Sequence, residues 1–294
     1  MTGATTGATV VASRTELAGA LAKLRRDRRS LALVPTMGAL HAGHRALVER
    51  AARVADAVAV SVFVNPLQFG AGEDLDRYPR SLDDDVRLAA SAGAALVFAP
   101  ATREMYPAGD PAVRVCAGPL GDVLEGEVRP GHFDGVLTVV AKLLALVAPD
   151  VVVFGEKDAQ QLVLVRRMVG DLDLRVRVEA VPTVRDPDGL AVSSRNRFLE
   201  PDDRARAVVL SQALLAGERA AGGGGTPQDV RQAARALLDA EPALSLDYCA
   251  LVDPTRLVAV GASAAGPALL LVAGRIGGTR LIDNTLVELA GGIA

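Results

Sequence analysis

The chain has 294 residues, 50% of them hydrophobic and 23% charged, and its formal net charge is −3. That composition supports a well-filled core, and a length beyond ~250 residues favours two domains over one. It argues against nucleic acid as a partner: there is no basic excess, and 3% aromatic content without Trp offers few surfaces on which bases could stack.

The longest apolar runs, such as residues 267–273, fall far short of the ~20 residues a membrane helix requires, so no membrane span is expected. Cys116 and Cys249 stand far apart without metal or redox spacing, so they read as thiols in a reducing compartment, and no zinc or other metal site on the protein is expected. The first ten residues, MTGATTGATV, have neither a basic start nor an apolar stretch. They read as a frayed end rather than a secretion signal, and a cytoplasmic protein is expected.

In chain order, residues 10–13 read as a short strand end, and Ser13-Arg14-Thr15-Glu16 as a capping box opening a helix to about Arg26. The apolar run 31–34 breaks at Pro35 and passes through Thr36, Met37 and Gly38 to His41-Ala42-Gly43-His44, ahead of an amphipathic helix through Arg53. The order is strand, loop, helix start. A helix N-terminus presents unpaired N–H groups and the positive end of a dipole, a natural seat for phosphate. His41 and His44, two of only three histidines, share one face of that first turn. One could cap the helix while the other packs, but H-x-G-H after a strand and a glycine-containing loop favours nucleotide binding.

The run 57–64, AVAVSVFV, is the kind of continuous β-branched segment found inside a parallel sheet. Alternation of strand and helix predicts a doubly wound α/β domain, whose ligands bind beyond the carboxyl ends of the strands. The loop Asn65-Pro66-Leu67-Gln68-Phe69-Gly70 then lies at the same rim as the histidines, with Gln68 as a neutral donor and acceptor or merely a solvated side chain of a turn. Ser81-Leu82-Asp83-Asp84-Asp85 reads as an N-cap with an acidic first turn, and residues 94–98 as a strand. Residues 113–116 are strand-like. Arg129-Pro130-Gly131-His132 leads into a helix over 135–147, either as a lid carrying Arg129 and His132 or as a plain connection.

Residues 151–154 form another buried strand, broken by Gly155-Glu156-Lys157-Asp158 before a helix. Among 32 basic residues only Lys23, Lys142 and Lys157 are lysines. A compact charge on a flexible stem at a strand-to-helix junction suits a phosphate that moves during reaction, although an ion pair with Glu156 or Asp158 would also account for it. Asp158 suits ribose hydroxyls, and Gln161 follows one turn later. A strand over 175–181 leads through a D-P-D-G turn to Val192-Ser193-Ser194-Arg195, which is either a mobile anion-binding loop or a solvated polar one. Beyond it come a helix from Glu200 to about Ala221, a glycine break at 222–225, a helix over 227–238, and strands over 244–252, 268–274 and 281–289.

Together PTMGALHAGH, FVNPLQFG, RPGHFDGVLTVV, FGEKDAQQL, DGLAVSSRN and GTRLIDN, in this order from Pro35 to Asn284, resemble the pantothenate synthetase family. H-x-G-H alone is shared with aminoacyl-tRNA synthetases and small adenylyltransferases; the full set is far more specific. The resemblance implies a Rossmann-like parallel sheet of the HxGH nucleotidyltransferase type over residues 1–185, with a smaller α+β domain over 186–294 acting as a lid. It implies condensation of pantoate with β-alanine, driven by Mg-ATP through pantoyl adenylate, in a homodimer.

By the same resemblance, Met37, Gly38, His41 and His44 contact ATP, with His44 as proton donor to the departing phosphate. Gly155, Glu156, Lys157 and Asp158 hold ribose and phosphate, Val184 meets adenine, and Val192, Ser193, Ser194 and Arg195 close over the phosphates. Gln68 and Gln161 grip pantoate, Gln68 also lies beside the β-alanine path, and Met37 and Phe154 form an apolar wall; Mg²⁺ travels with the nucleotide. Arg275, Thr279 and Arg280 are expected to be structural. Val192 stands where the family commonly has Met or Leu, and Ala159 where it has an aromatic residue, so a weaker KM is expected. A nucleotidyltransferase and a non-catalytic ATP-binding protein are the alternatives, and the joint presence of both histidines, Lys157 and Ser193-Ser194-Arg195 argues against the second.

Overall fold

The computed structural model describes residues 7–26, 29–70, 72–73, 75, 77–79 and 81–290. The expectation of a frayed N-terminus falls mostly outside them. The first strand, β1 (Thr9–Val11), precedes α1 (Arg14–Leu24), whose capping box is formed as expected: Ser13 Oγ accepts from Glu16 N–H while the Glu16 carboxylate accepts from Ser13 N–H. Then come β2 (Leu31–Thr36), α2 (Ala42–Val54), β3 (Ala57–Val62), α3 (Leu82–Ser91) and β4 (Leu96–Phe98). Two single turns, α4 (Thr102–Met105) and α5 (Glu125–Val128), lead to α6 (His132–Val147), β5 (Val151–Gly155), α7 (Ala159–Asp171) and β6 (Arg177–Val181).

These six strands form one sheet in the order β1-β4-β3-β2-β5-β6, parallel throughout. The chain builds outward from β2 through β3 to β4, then crosses to β5 on the other side. The switch point therefore lies between β2 and β5, where an open α/β sheet leaves a crevice at its carboxyl rim. One face of the sheet, with Ala32, Val34, Val58, Val60 and Val153, packs on Val48 and Ala51 of α2 and Ala89 of α3. The pleat turns Leu31 and Leu33 to the opposite face, where α6 meets β2 and α1 lies against α6.

Three local expectations are corrected. Pro35 does not break β2, which continues to Thr36 in register with β3; the ladder to β5 ends at Leu33, so the missing proline N–H removes no bond on that side. Residues 113–116 form no strand, because Val115 N–H and Ala117 N–H donate to side chains of α6, Thr138 Oγ1 and Asp134 Oδ1. The helix expected at Gly135 starts at His132.

The remaining elements are α8 (Pro201–Arg206), α9 (Val209–Gly222), α10 (Pro227–Asp239), β7 (Ser245–Val252), β8 (Ala265–Ile276) and β9 (Thr279–Ala290). The single helix expected from Glu200 is divided, since Leu210 N–H bonds back to Ala207 rather than one residue further, and this tighter turn lets both residues enter the core. β7, β8 and β9 form an antiparallel sheet in that order, against which Leu210, Leu214, Val230 and Leu238 bury Leu251, Leu270 and Val272. The chain divides into two compact units. The first runs to Glu156 and takes up Leu164–Pro182; the second comprises Lys157–Val163 and the chain from Thr183 onward.

Candidate active site

In the first unit the histidine turn begins where β2 ends. Thr36 Oγ1 donates to Ser61 C=O at 2.7 Å and accepts from Gly38 N–H at 3.2 Å, turning the chain off the sheet. Gly38 and Ala39 are both left-handed, at φ 87° and 51°. Glycine adopts this freely, whereas alanine there costs roughly 1–2 kcal/mol. Asp85, the third acidic residue of α3, offsets that cost: its two carboxylate oxygens accept from Ala39 N–H at 3.0 Å and Leu40 N–H at 2.7 Å. A Cβ at residue 38 would stand 2.9 Å from Asp85 Oδ2, so only glycine lets the carboxylate reach this loop undisturbed. The expectation that these aspartates serve the helix dipole is met only in part, since Ser81 makes no side-chain cap bond and Asp85 is buried on the loop.

His41 is the N-cap of α2. Its Nδ1 accepts from Gly43 N–H at 3.1 Å, while His44 Nδ1 accepts from His41 N–H at 3.3 Å, so the two imidazoles play the parts usually taken by a serine and a glutamate. Backbone N–H groups can only donate. Each neutral ring therefore carries its proton on Nε2, and the two rings stand 4.1 Å apart, centre to centre, over the positive end of a thirteen-residue helix. The capping role and a nucleotide-binding role thus use different nitrogens of the same rings.

The turn after β3 is a single 3-10 turn, Pro66–Gln68, capped by Asn65. Asn65 Oδ1 accepts from Leu67 N–H at 3.3 Å and from Tyr106 Oη at 2.9 Å, and Asn65 Nδ2 donates to Gly135 C=O and Gln68 Oε1, both at 3.1 Å. Gln68 Nε2 lies 3.1 Å from Met37 Sδ, which brings together two residues singled out in the sequence. The Gln68 carbonyl accepts from His132 Nδ1–H at 2.8 Å and Arg129 Nη2–H at 3.3 Å.

Arg129 also forms a fork with Glu73, at 2.9 and 2.5 Å, and donates from Nη1 to His132 Nε2 at 3.1 Å. A guanidinium can only donate, so His132 is neutral with its proton on Nδ1; burial, and then the Arg129 charge, push its pKa down to about 4. The two residues considered as lid groups are thus a brace for the Gln68 turn. Phe154 is buried in β5, and Gly155 closes that strand before Glu156 and Lys157.

The other candidate residues belong to the second unit. Lys157 is half-buried in the 3-10 turn Glu156–Asp158, with Gln161 half-buried in the first turn of α7 and Asp158 exposed. Lys157 C=O accepts from Asn284 Nδ2 at 2.8 Å. Asp283, the preceding residue on β9, takes both ends of Arg185 at 2.6 and 3.0 Å, and Arg185 also donates to Asn284 C=O at 3.3 Å and Gly189 C=O at 3.1 Å. Two consecutive β9 residues therefore anchor both the Lys157 turn and the D-P-D-G loop.

That loop closes on itself: Val192 N–H donates to Val184 C=O at 2.9 Å, and Arg185 pairs with Ala191. Ser193 caps the turn Ser194–Phe198 by accepting from Arg195 N–H at 3.3 Å. Arg280 pairs with Asp247 at 2.7 Å and Thr279 is buried at the start of β9, in keeping with structural roles. Asn65, Asp85, Tyr106 and Asn284 were not singled out as site residues from sequence; Asn65 and Asn284 carried a signal as members of the FVNPLQFG and GTRLIDN motifs, Asp85 was read only as part of an acidic first turn, and Tyr106 carried none. Among the described residues no group of three or more His, Cys, Asp or Glu side chains is placed to hold a metal ion. Nor is any helix long and apolar enough to cross a membrane among them.

A family model for pantoate-beta-alanine ligase matches residues 9–286. A pantothenate synthetase of Nocardioides sp. is 58% identical over 280 residues, covering 92% of this chain and 83% of that protein. The crystal structure of pantothenate synthetase from Thermus thermophilus superposes with a TM-score of 0.88 at 52% identity, covering 94% of this chain and 98% of the other. The pantoate-beta-alanine ligase from Francisella tularensis, complexed with beta-gamma ATP and beta-alanine, superposes with a TM-score of 0.78 at 31% identity, covering 95% and 97%. The switch-point topology and the motif order agree with a match that spans nearly the whole length, and the chain belongs to the pantoate-β-alanine ligase family.

Proposed function

We propose that this chain condenses pantoate with β-alanine in two steps driven by ATP, as part of pantothenate biosynthesis. The observation that carries this reading is the imidazole pair capping α2 at the carboxyl rim, with both Nδ1 atoms engaged by backbone so that each ring carries its N–H donor on Nε2. The complex of the Francisella tularensis relative with beta-gamma ATP and beta-alanine supports ATP and an amine as substrates.

In the first step a pantoate carboxylate oxygen attacks the α-phosphorus of ATP. The bond to the β-phosphate breaks, giving pantoyl adenylate and pyrophosphate. In the second the β-alanine amine attacks the acyl carbon, loses a proton, and AMP departs. No protein nucleophile is required, so alignment and neutralisation of phosphate charge supply most of the acceleration. His41 and His44 donate to phosphate oxygens from Nε2, His44 toward the leaving pyrophosphate, with Met37 and Gly38 beside the nucleotide. Lys157 follows the moving phosphate charge; Ser193, Ser194 and Arg195 add short and forked donors; Gly155, Glu156, Asp158, Val184 and Val192 hold ribose and adenine. Gln68 and Gln161 hold pantoate against Met37 and Phe154. Mg²⁺ enters with the nucleotide as Mg-ATP, carried mainly by the phosphates. A cytoplasmic homodimer is part of the proposal, with the dimer checked by sedimentation.

The test follows pyrophosphate and AMP with Mg-ATP and pantoate, with and without β-alanine. Pyrophosphate that requires pantoate, with sustained AMP release only when β-alanine is present, is the expected result. ADP would contradict it, and pyrophosphate release indifferent to pantoate would contradict it and favour a nucleotidyltransferase.

A further inference from the structure

Asn65, Gln68 and Tyr106 form a polar chain inside the first unit, at 1%, 8% and 5% exposure. The direction of each bond follows from partners that have a single role. Leu67 N–H can only donate, so the Asn65 atom 3.3 Å from it is the oxygen. Gly135 C=O can only accept, so the atom 3.1 Å from it is the nitrogen. Two backbone groups thus set the Asn65 amide.

Tyr106 Oη must donate to Asn65 Oδ1 at 2.9 Å, and burial, raising the phenol to about 12, keeps that proton in place. The second Nδ2 hydrogen goes to Gln68 Oε1 at 3.1 Å. Every donor and acceptor position of Asn65 is then used, and the carbonyl end of Gln68 is held inward. What Gln68 presents on its other side is NH₂, 3.1 Å from Met37 Sδ, a weak acceptor that a carboxylate oxygen readily replaces.

From this geometry we infer that Asn65 and Tyr106 are positioning residues that make Gln68 an obligate hydrogen-bond donor, so that it serves an acceptor oxygen, that of the pantoate carboxylate, and cannot take a hydroxyl proton. The inference rests on the proposed contact between Gln68 and pantoate. An unconstrained carboxamide would present either end; this one is polarised before substrate arrives, which removes an ordering cost from binding.

The test uses Asn65→Asp and Tyr106→Phe in the full-length protein. Asn65→Asp places oxygen where nitrogen met the Gly135 and Gln68 oxygens, so Gln68 must turn its NH₂ inward and its carbonyl outward. KM for pantoate should rise about tenfold or more, with KM for ATP within about twofold. Tyr106→Phe keeps the ring but removes one donor to Asn65, and should raise KM for pantoate about threefold; it decides the matter if the N65D chain does not fold. A ligand-free readout is the nuclear Overhauser contact between the Gln68 NH₂ and the Met37 methyl, expected in the wild-type chain and lost in N65D. Persistence of that contact in N65D, equal changes in both KM values, or a lowered melting temperature alone would overturn the inference. Loss of the contact in a protein without pantoate-dependent turnover would uphold the polarity of Gln68 and overturn the functional reading instead.

Discussion

Asp85 and the paired histidines show how much of a site's geometry hangs on single side chains. The left-handed pair Gly38-Ala39 persists because one buried carboxylate satisfies two successive N–H groups. His41 serves both as N-cap and as candidate phosphate donor, and two substitutions separate the roles. His41→Ala should cost about 1 kcal/mol of stability through the lost cap and also abolish most turnover. His41→Ser should restore the melting temperature without restoring turnover; recovery of activity with the serine would make the imidazole no more than a cap.

His132 gives a pH dependence. Its folded pKa of about 4 lies below the ordinary value of 6.5. The unfolded chain therefore takes up a proton that the folded chain does not, so the stability present above about pH 6.5 is lost progressively as pH falls toward 4. At about 1.4 kcal/mol per pKa unit the full loss is on the order of 3 kcal/mol. His132→Asn, which can keep the donor to Gln68 C=O without the titration, should flatten this acid limb in denaturant midpoints measured at several pH values. An unchanged slope would assign the acid sensitivity elsewhere.

At the scale of elements, α6 matters through its close approach to the Gln68 turn. A Cβ on Gly135 would lie 2.2 Å from Leu67 C=O, so the bare backbone there lets α6 meet the Gln68 turn and lets Gly135 C=O accept from Asn65. Gly135→Ala should destabilise the chain by about 3 kcal/mol or more, beyond any helix-propensity gain from alanine. A melting temperature equal to wild type would show that the turn can move aside.

The elements were legible where a single local signal decided them. Continuous β-branched runs marked β3 and β5, and Ser13 with Glu16 marked the start of α1. They were illegible where a tertiary partner decided. Pro35 is tolerated because β5 stops pairing before it, residues 113–116 find acceptors on α6 instead of a strand, and the step between α8 and α9 follows the burial of Ala207 and Leu210. In the candidate site, residues that carry functional groups stood out by type and spacing. Of those that orient them, Asp85, Tyr106 and Asn284 act over separations of tens of residues that no local pattern records, and Asn65, only three residues from Gln68, is itself set by the distant Gly135 and Tyr106.

For the whole molecule, the topology places the histidine turn and the Gln68 turn on one carboxyl rim, and β9 gathers the Lys157 turn and the loop from Val184 to Arg195 within the second unit. We propose residues 1–185 and 186–294 as the functional division, with Lys157 and Gln161 lying in the second compact unit and the Lys157 carbonyl bonded to Asn284. The central claim is that pantoate's carboxylate becomes bonded to the α-phosphorus of ATP. Its most direct measurement is a reaction run to completion with pantoate labelled by ¹⁸O in the carboxylate, followed by mass analysis of the nucleotide and pyrophosphate. The account predicts one ¹⁸O in the phosphate of AMP and none in pyrophosphate. Unlabelled AMP, or label in inorganic phosphate released alongside ADP, would contradict it.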